Sequence, residues 1–125
     1  MARVRSRDTQ PELLVRRLLS GQGVRYRLHR KDLPGRPDIY IGRLRLAVFV
    51  NGCFWHGHKC RRGRRPKSNV EFWNEKINRN IARDRRTVKD LRTHDVSPLI
   101  LWLCRADDFP RVCKDIARRY RRAPQ

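Results

Sequence analysis

Residues 51–60 read NGCFWHGHKC, which places two cysteines, two histidines and a Phe-Trp pair within ten positions. Thiolate and imidazole are good ligands for soft and borderline metal ions, and imidazole also moves protons near neutral pH. Cys53, His58 and Cys60 have the spacing C-x4-H-x-C, and Cys104 stands at the end of the last expected strand. Four such ligands brought together make a tetrahedral zinc site with no open position, which is structural rather than catalytic. One histidine is then surplus and free for general acid or base work. Spacing does not decide whether that histidine is His56 or His58. The competing reading is separate buried thiols, and Cys113, beside Val112 and Ile116, reads as core.

Carboxylates are scarce: Asp and Glu number 12 in the whole chain. Asp38 follows Pro37 at the mouth of an apolar run, where it is either a turn residue or a ligand for a hard cation that bridges to phosphate oxygen. Glu12 stands three residues after Thr9, the spacing of a capping box, and a helix head is also a place from which an acid reaches a metal. Phe54 and Trp55 are neighbours. In an extended segment they point in opposite directions, so one faces a partner as a wedge between bases, or both cover the zinc loop. Trp73 reads as core. Arg61, Arg62, Arg64, Arg65 and Lys67 form the basic run best suited to phosphates.

These residues need elements to position them. "TQPELLVRRLLSGQG" reads as a helix capped by Thr9, with Leu14, Val15 and Leu18 inward and Gly21 or Gly23 at its end. "VRYRLH" alternates as a half-exposed strand. "IYI" and "LRLAVFV" read as two strands joined by a "GR" hairpin turn, the second central and buried on both faces. "VEFWNEKINRNIARDRRTVKDLRTH" is a long helix whose buried stripe is Trp73, Ile77, Ile81, Val88 and Leu91. "VSPLILWLC" gives a last strand, parallel because a helix precedes it. "DDFPRVCKDIARRYRR" gives a last helix with Phe109, Val112, Ile116 and Tyr120 inward. The expected fold is α/β: a mixed central sheet flanked by helices, in a single domain over residues 1–125.

The 125 residues carry 32 Lys and Arg, a net charge of +20. So much like charge in one small body points to a polyanionic partner, nucleic acid ahead of an anionic membrane surface. No apolar run is long enough to span a bilayer and no N-terminal signal pattern stands out, so a reducing cytoplasm is expected and no membrane partner.

"RSRDTQPE", "LPGRPD", "VFVNGCFWHGHKC", "FWNEKINRNIARD" and "LILWLC", in this order, resemble the very short patch repair (Vsr) mismatch endonucleases. The resemblance runs from about Arg5 to Cys104. It implies a restriction-endonuclease-like fold and a bacterial enzyme that nicks 5′ of the thymine in T:G mismatches left by deamination of 5-methylcytosine. It implies Zn2+ held by Cys53, His58, Cys60 and Cys104, and His56 as the catalytic base. Asp38 matches the aspartate that binds catalytic Mg2+, with the Val50 backbone carbonyl beside it, and Glu12 matches the acid that orients water there. Phe54, Trp55 and Trp73 match the wedge, and Lys76 and Asn80 match the residues that face the mismatched bases. The enzyme so implied acts as a monomer on double-stranded DNA of the nucleoid, alongside other repair proteins.

Three departures stand out. Val50 and Asn51 replace a polar residue and a histidine before "GCFWH", and Asn51 cannot take a proton as histidine does. The arm before "RSRDT" looks short. "THDVSPLILW" lacks a Gly-Trp that relatives often carry. Rival readings are a DNA-binding module that has lost its catalyst at Asn51, and a nuclease with another structural target.

Overall fold

The computed structural model describes residues 9–124. The arm before "RSRDT" lies outside the described residues. In chain order the elements are helix α1 (Gln10–Gly21), strands β1 (Arg27–Leu28), β2 (Ile39–Ile41) and β3 (Leu46–Asn51), helix α2 (Val70–Thr93), strand β4 (Ser97–Trp102) and helix α3 (Phe109–Arg122). The sheet runs β1-β2-β3-β4, antiparallel except for the β3–β4 pair. The parallel pairing follows from the α2 crossover, as the element order requires. The class is the one expected, a mixed α/β sheet between helices.

Strand β3 is central, and its side chains alternate between two apolar layers. Leu46 and Val48 join Ile39, Ile41, Leu101 and the buried faces of α1 and α3. Ala47 joins Leu91 and Val96 on the opposite face, where α2 lies. This three-layer arrangement leaves the C-terminal end of β3 and the loop after it as the place where α1, α2 and the sheet converge.

Four local expectations need correction. The buried stripe of α1 is Glu12, Val15 and Leu19, while Leu14 is 38% exposed and Leu18 only packs at the margin. The helix is rotated from the purely apolar phase because burying Glu12 takes one position of the inward face. "VRYRLH" pairs over two exposed residues only, a short charged edge of the kind that resists further pairing. The β2–β3 connection is longer than "GR": Gly42–Leu44 form a 3-10 turn and Arg45 adopts φ 48. The Arg45 guanidinium donates to the carbonyls of His94 and Asp95, so this turn also satisfies acceptors at the end of α2. Finally, β4 stops at Trp102, and Cys104 sits in a 3-10 turn beyond it.

Along α2 only Ile77 and Leu91 are fully buried; Trp73, Ile81 and Val88 are half-buried. In α3, Phe109, Ile116 and Tyr120 face inward with Cys113, and Val112 packs at the core's edge. Among the described residues no helix is long and apolar enough to cross a membrane.

Candidate active site and metal centre

The segment after β3 folds back on itself. The amide of His56 donates to the Gly52 carbonyl, that of Gly57 to Phe54, and that of His58 to Cys53. The Cys60 amide then donates to His58 and the Gly63 amide to Cys60. Two glycines make this coil possible. Gly57 has φ 62, and a Cβ there would lie 2.5 Å from Ile81. A Cβ on Gly63 would lie 1.9 Å from the His58 carbonyl oxygen.

The coil brings Cys53, His58 and Cys60 to Cys104, with one ligand atom from each within 4.8 Å of all the others. His58 Nδ1 lies 3.5 Å from the Cys104 sulfur, and its ring stacks on Trp102 at 4.0 Å between centroids. Burial opposes a thiolate on Cys60, yet hydrogen bonding with His58, Cys53, Gly63 and Cys104 outweighs it and brings Cys60 down to about 7. Burial pushes Cys53 up to about 11, helped by hydrogen bonding with Cys60 and Cys104. Three sulfurs and a nitrogen at this separation have the chemistry of a closed zinc site, and the quartet fits that ion.

The other histidine of the coil looks elsewhere. His56 Nδ1 lies 2.6 Å from Asp84 Oδ2 on α2. A carboxylate only accepts, so this contact fits a proton on Nδ1 and the second ring nitrogen left to exchange one. Asp84 was not singled out from the sequence. A signal existed in the helical spacing: Trp73, Lys76, Asn80 and Asp84 follow one another at three- and four-residue steps, a row along one flank of α2 beside the buried Ile77 and half-buried Ile81.

Asp38 and Glu12 meet near the same place. Asp38 Oδ2 accepts a 2.7 Å hydrogen bond from the Val50 amide, because β2 begins only at Ile39, opposite Val48, and offers Val50 no backbone partner on that side. Glu12 is 1% exposed, 3.3 Å from Arg16, and its amide caps on Thr9 at 3.4 Å. One ligand atom each from Glu12, Asp38 and His29 lie within 4.8 Å of one another. Burial pushes Asp38 up to about 7 against the Val50 hydrogen bond, and the Glu12 carboxylate adds to the rise. Two carboxylates crowded in this way favour a divalent cation between them. His29 was missed because nothing in a lone histidine after a short strand marks it.

Asn51 ends β3, is 8% exposed, and lines the cleft with Asp38 and His56. This cleft has a volume of about 970 Å³ and runs from Glu12 and Asp38 to Trp55, Lys76 and Arg62. A second cleft of about 370 Å³ shares Asp38, Val50, Asn51, His56 and Arg83 with it, and adds Asp84 and His29.

The aromatics correct a premise. Residues 53–57 form a turn, not an extended segment, so Phe54 and Trp55 do not point apart. Their rings meet at 5.1 Å, and each meets Trp73, at 5.4 and 5.9 Å. All three are half-exposed, and Phe72, 57% exposed and 5.1 Å from Trp73, extends the patch; the sequence reading had passed over it. The Lys76 ammonium sits over Trp55, Phe72 and Trp73. Asn80 donates to the Trp55 carbonyl and accepts from Arg83. In the basic loop, Arg65 is tied to Asn74 and Asn78 of α2, whereas Arg61, Arg62, Arg64 and Lys67 are exposed. Arg65 is therefore an anchor of that loop.

A mixed sheet that sets paired carboxylates and an oriented histidine at the floor of a cationic cleft is the arrangement of a nuclease-type site. Comparison with known proteins narrows this class. Residues 1–62 match the family model of the DNA mismatch endonuclease Vsr. The chain is 50% identical over 109 residues to the type II nicking enzyme V.XorIIP of Xanthomonas oryzae pv. oryzae, covering 87% of this chain and 80% of that one. It is 39% identical over 115 residues to the type II nicking enzyme V.NmeAIP of Neisseria meningitidis, covering 92% and 81%. To the DNA mismatch endonuclease Vsr of Escherichia coli it is 41% identical over 104 residues, covering 83% and 67%. The chain belongs to the Vsr family of DNA mismatch endonucleases.

Proposed function

We infer that this DNA endonuclease of the Vsr family nicks duplex DNA 5′ of the thymine in T:G mismatches, by Mg2+-dependent hydrolysis of one phosphodiester, as a single domain in the bacterial cytoplasm. The observation that carries the reading is convergence: Asp38, His56, Phe54, Trp55 and Lys76 all border one cleft. The resemblance supplies the mismatch, and the cleft supplies a way to bind it.

A divalent cation at Asp38 and the Val50 carbonyl would polarise the scissile phosphate and offset the charge that builds on it. A strand residue directs its N–H and C=O to the same side, so the Val50 carbonyl opens toward Asp38 with the amide that already donates to it. His56, held by Asp84, takes a proton from the attacking water or delivers one to the departing oxygen. As the water oxygen bonds to phosphorus, the opposite P–O ester bond breaks. Glu12 and Asn51 arrange water at the floor of the cleft.

Phe54, Trp55 and Trp73, extended by Phe72, present a preformed apolar wedge that unstacks the base step beside the mismatch. Lys76 and Asn80, along the same flank of α2, face the bases, while Arg61 and Arg62 hold phosphates. Cys53, His58, Cys60 and Cys104 would hold Zn2+, which would fix the coil that carries both His56 and the wedge.

End-labelled duplexes carrying T:G, or T:A at the same position, test this with and without Mg2+. The expected result is a single Mg2+-dependent nick beside the mismatched thymine. Equal cleavage of both duplexes would assign the nuclease another target. Tight mismatch binding without cleavage, with nicking restored by Asn51→His, would make it a binding module.

A further inference from the structure

We propose that His29 is a ligand of the divalent cation at Glu12 and Asp38, and that its ring nitrogen shifts the preference of this site from Mg2+ toward Mn2+. The proposal rests on the proposed cation site at Asp38 and adds Glu12, crowded against it, as a second carboxylate. His29 is built into the site by its backbone as well as its ring. It adopts φ 49, a left-handed conformation that costs a histidine energy and that persists only where its surroundings impose it. Its amide donates to the Asp38 carbonyl at 3.2 Å, which fixes the distance between the two residues. The imidazole Nε2 then lies 3.8 Å from Glu12 Oε1 and 3.1 Å from Arg16. Nε2 is thus the ring nitrogen that faces Glu12 and Arg16, and on a neutral imidazole it is the one whose lone pair the proposal assigns to the ion. An unprotonated imidazole nitrogen beside two carboxylates is a donor set for a first-row transition ion.

The consequence concerns selectivity. Mg2+ prefers oxygen ligands in a near-ideal octahedron, whereas imidazole suits the ions further along the transition series. A carboxylate pair alone accepts Mg2+; adding a nitrogen at ligand distance raises affinity for Mn2+ with little change for Mg2+. Arg16 stays with Glu12 through their own 3.3 Å contact when the ring turns to an ion.

The test uses the zinc-loaded full chain without DNA, so that binding is read apart from activity. Mn2+ is titrated and its bound spin examined for coupling to a ligand nitrogen, in wild type, His29→Asn, His29→Gln, His56→Ala and Asp38→Ala. Asparagine tolerates positive φ, so His29→Asn keeps the backbone in place, and unchanged melting temperatures identify folded variants. Nitrogen coupling is expected in wild type and in His56→Ala, and is lost in both His29 variants. Mn2+ affinity should fall about tenfold or more in those variants while Mg2+ affinity stays within about twofold. Bound Mn2+ that disappears in Asp38→Ala but never shows nitrogen coupling would overturn the His29 assignment and leave the cation site standing. Coupling lost in His56→Ala and retained in His29→Asn would overturn it equally. No Mn2+ bound by wild type would remove the cation reading of Glu12 and Asp38 itself.

Discussion

The protein carries two clusters of metal-ligating side chains, close in the fold and opposite in construction. The thiol cluster draws three of its four ligands from one coil and closes with Cys104. The carboxylate cluster takes one residue from each of three places: the head of α1, the end of β1 and the mouth of β2. With an ion bound, the first would tie a loop to the sheet and leave no ligand position for a substrate. The second depends on the whole fold to assemble and opens onto a cleft. Under the proposed function the first is scaffold and the second catalyst, separable in construction although residues 52–60 serve both.

Removing zinc should have the largest effect. Cys104→Ser, or chelation of the metal, is expected to lower stability by on the order of 4 kcal/mol and to abolish nicking, because the coil holding His56 and the wedge loses its anchor. Thermal melting and the nicking assay read both losses. Activity surviving in a folded, zinc-free protein would erase the contrast between the clusters.

Asp38→Ala should do the reverse: nicking falls by about a thousandfold or more, with no loss of stability. The pH dependence sharpens this. Burial and Glu12 raise Asp38 in the folded protein to about 7, above the ~3.9 of an unfolded chain. The native state therefore binds the extra proton, and the stabilisation linked to it is lost as pH rises through about 7 in the metal-free carboxylate site. Melting of zinc-loaded protein between about pH 5 and pH 8 should show this decline up to about pH 7 and a plateau above it, a dependence that Asp38→Asn removes and that added Mg2+ offsets most at the higher pH.

His56→Ala is expected to cost about 10²- to 10⁴-fold in rate. Asp84→Asn should cost less and shift the pH–rate profile, since Asp84 acts through the imidazole. A profile unmoved by Asp84→Asn would leave the 2.6 Å contact without a part in proton transfer.

Smaller still is the effect on recognition. Trp55→Ala should weaken binding of a T:G duplex by about 1–3 kcal/mol while binding of matched DNA stays the same, as direct affinity measurements would read.

Much of this architecture was legible because it depends on local chemistry. Thr9 capping Glu12, the apolar run of β3, and the α2 crossover that makes β4 parallel each follow from residues within one or two elements. The thiols Cys53 and Cys60 were legible as candidate ligands because both stand in one decapeptide, but spacing left open which of His56 and His58 joins them, and the fold brings His58 to the cluster. What escaped depends on the tertiary arrangement. Glu12 takes an inward position on α1, which turns the helix so that Leu14 faces out and Leu19 in. Asp84 gains meaning only from a histidine 28 positions earlier, and His29 only from its backbone bond to Asp38. Phe54 and Trp55 were misjudged because hydrogen bonds within the coil, not the pleat of a strand, set their directions.

The most direct test of the separation between scaffold and catalyst is one sample measured twice: zinc-loaded Asp38→Ala, melted and then assayed for Mg2+-dependent nicking of a T:G duplex against wild type. The account predicts a melting temperature at or above that of wild type and no nick. Nicking at the wild-type rate, or inactivity accompanied by unfolding, would contradict it.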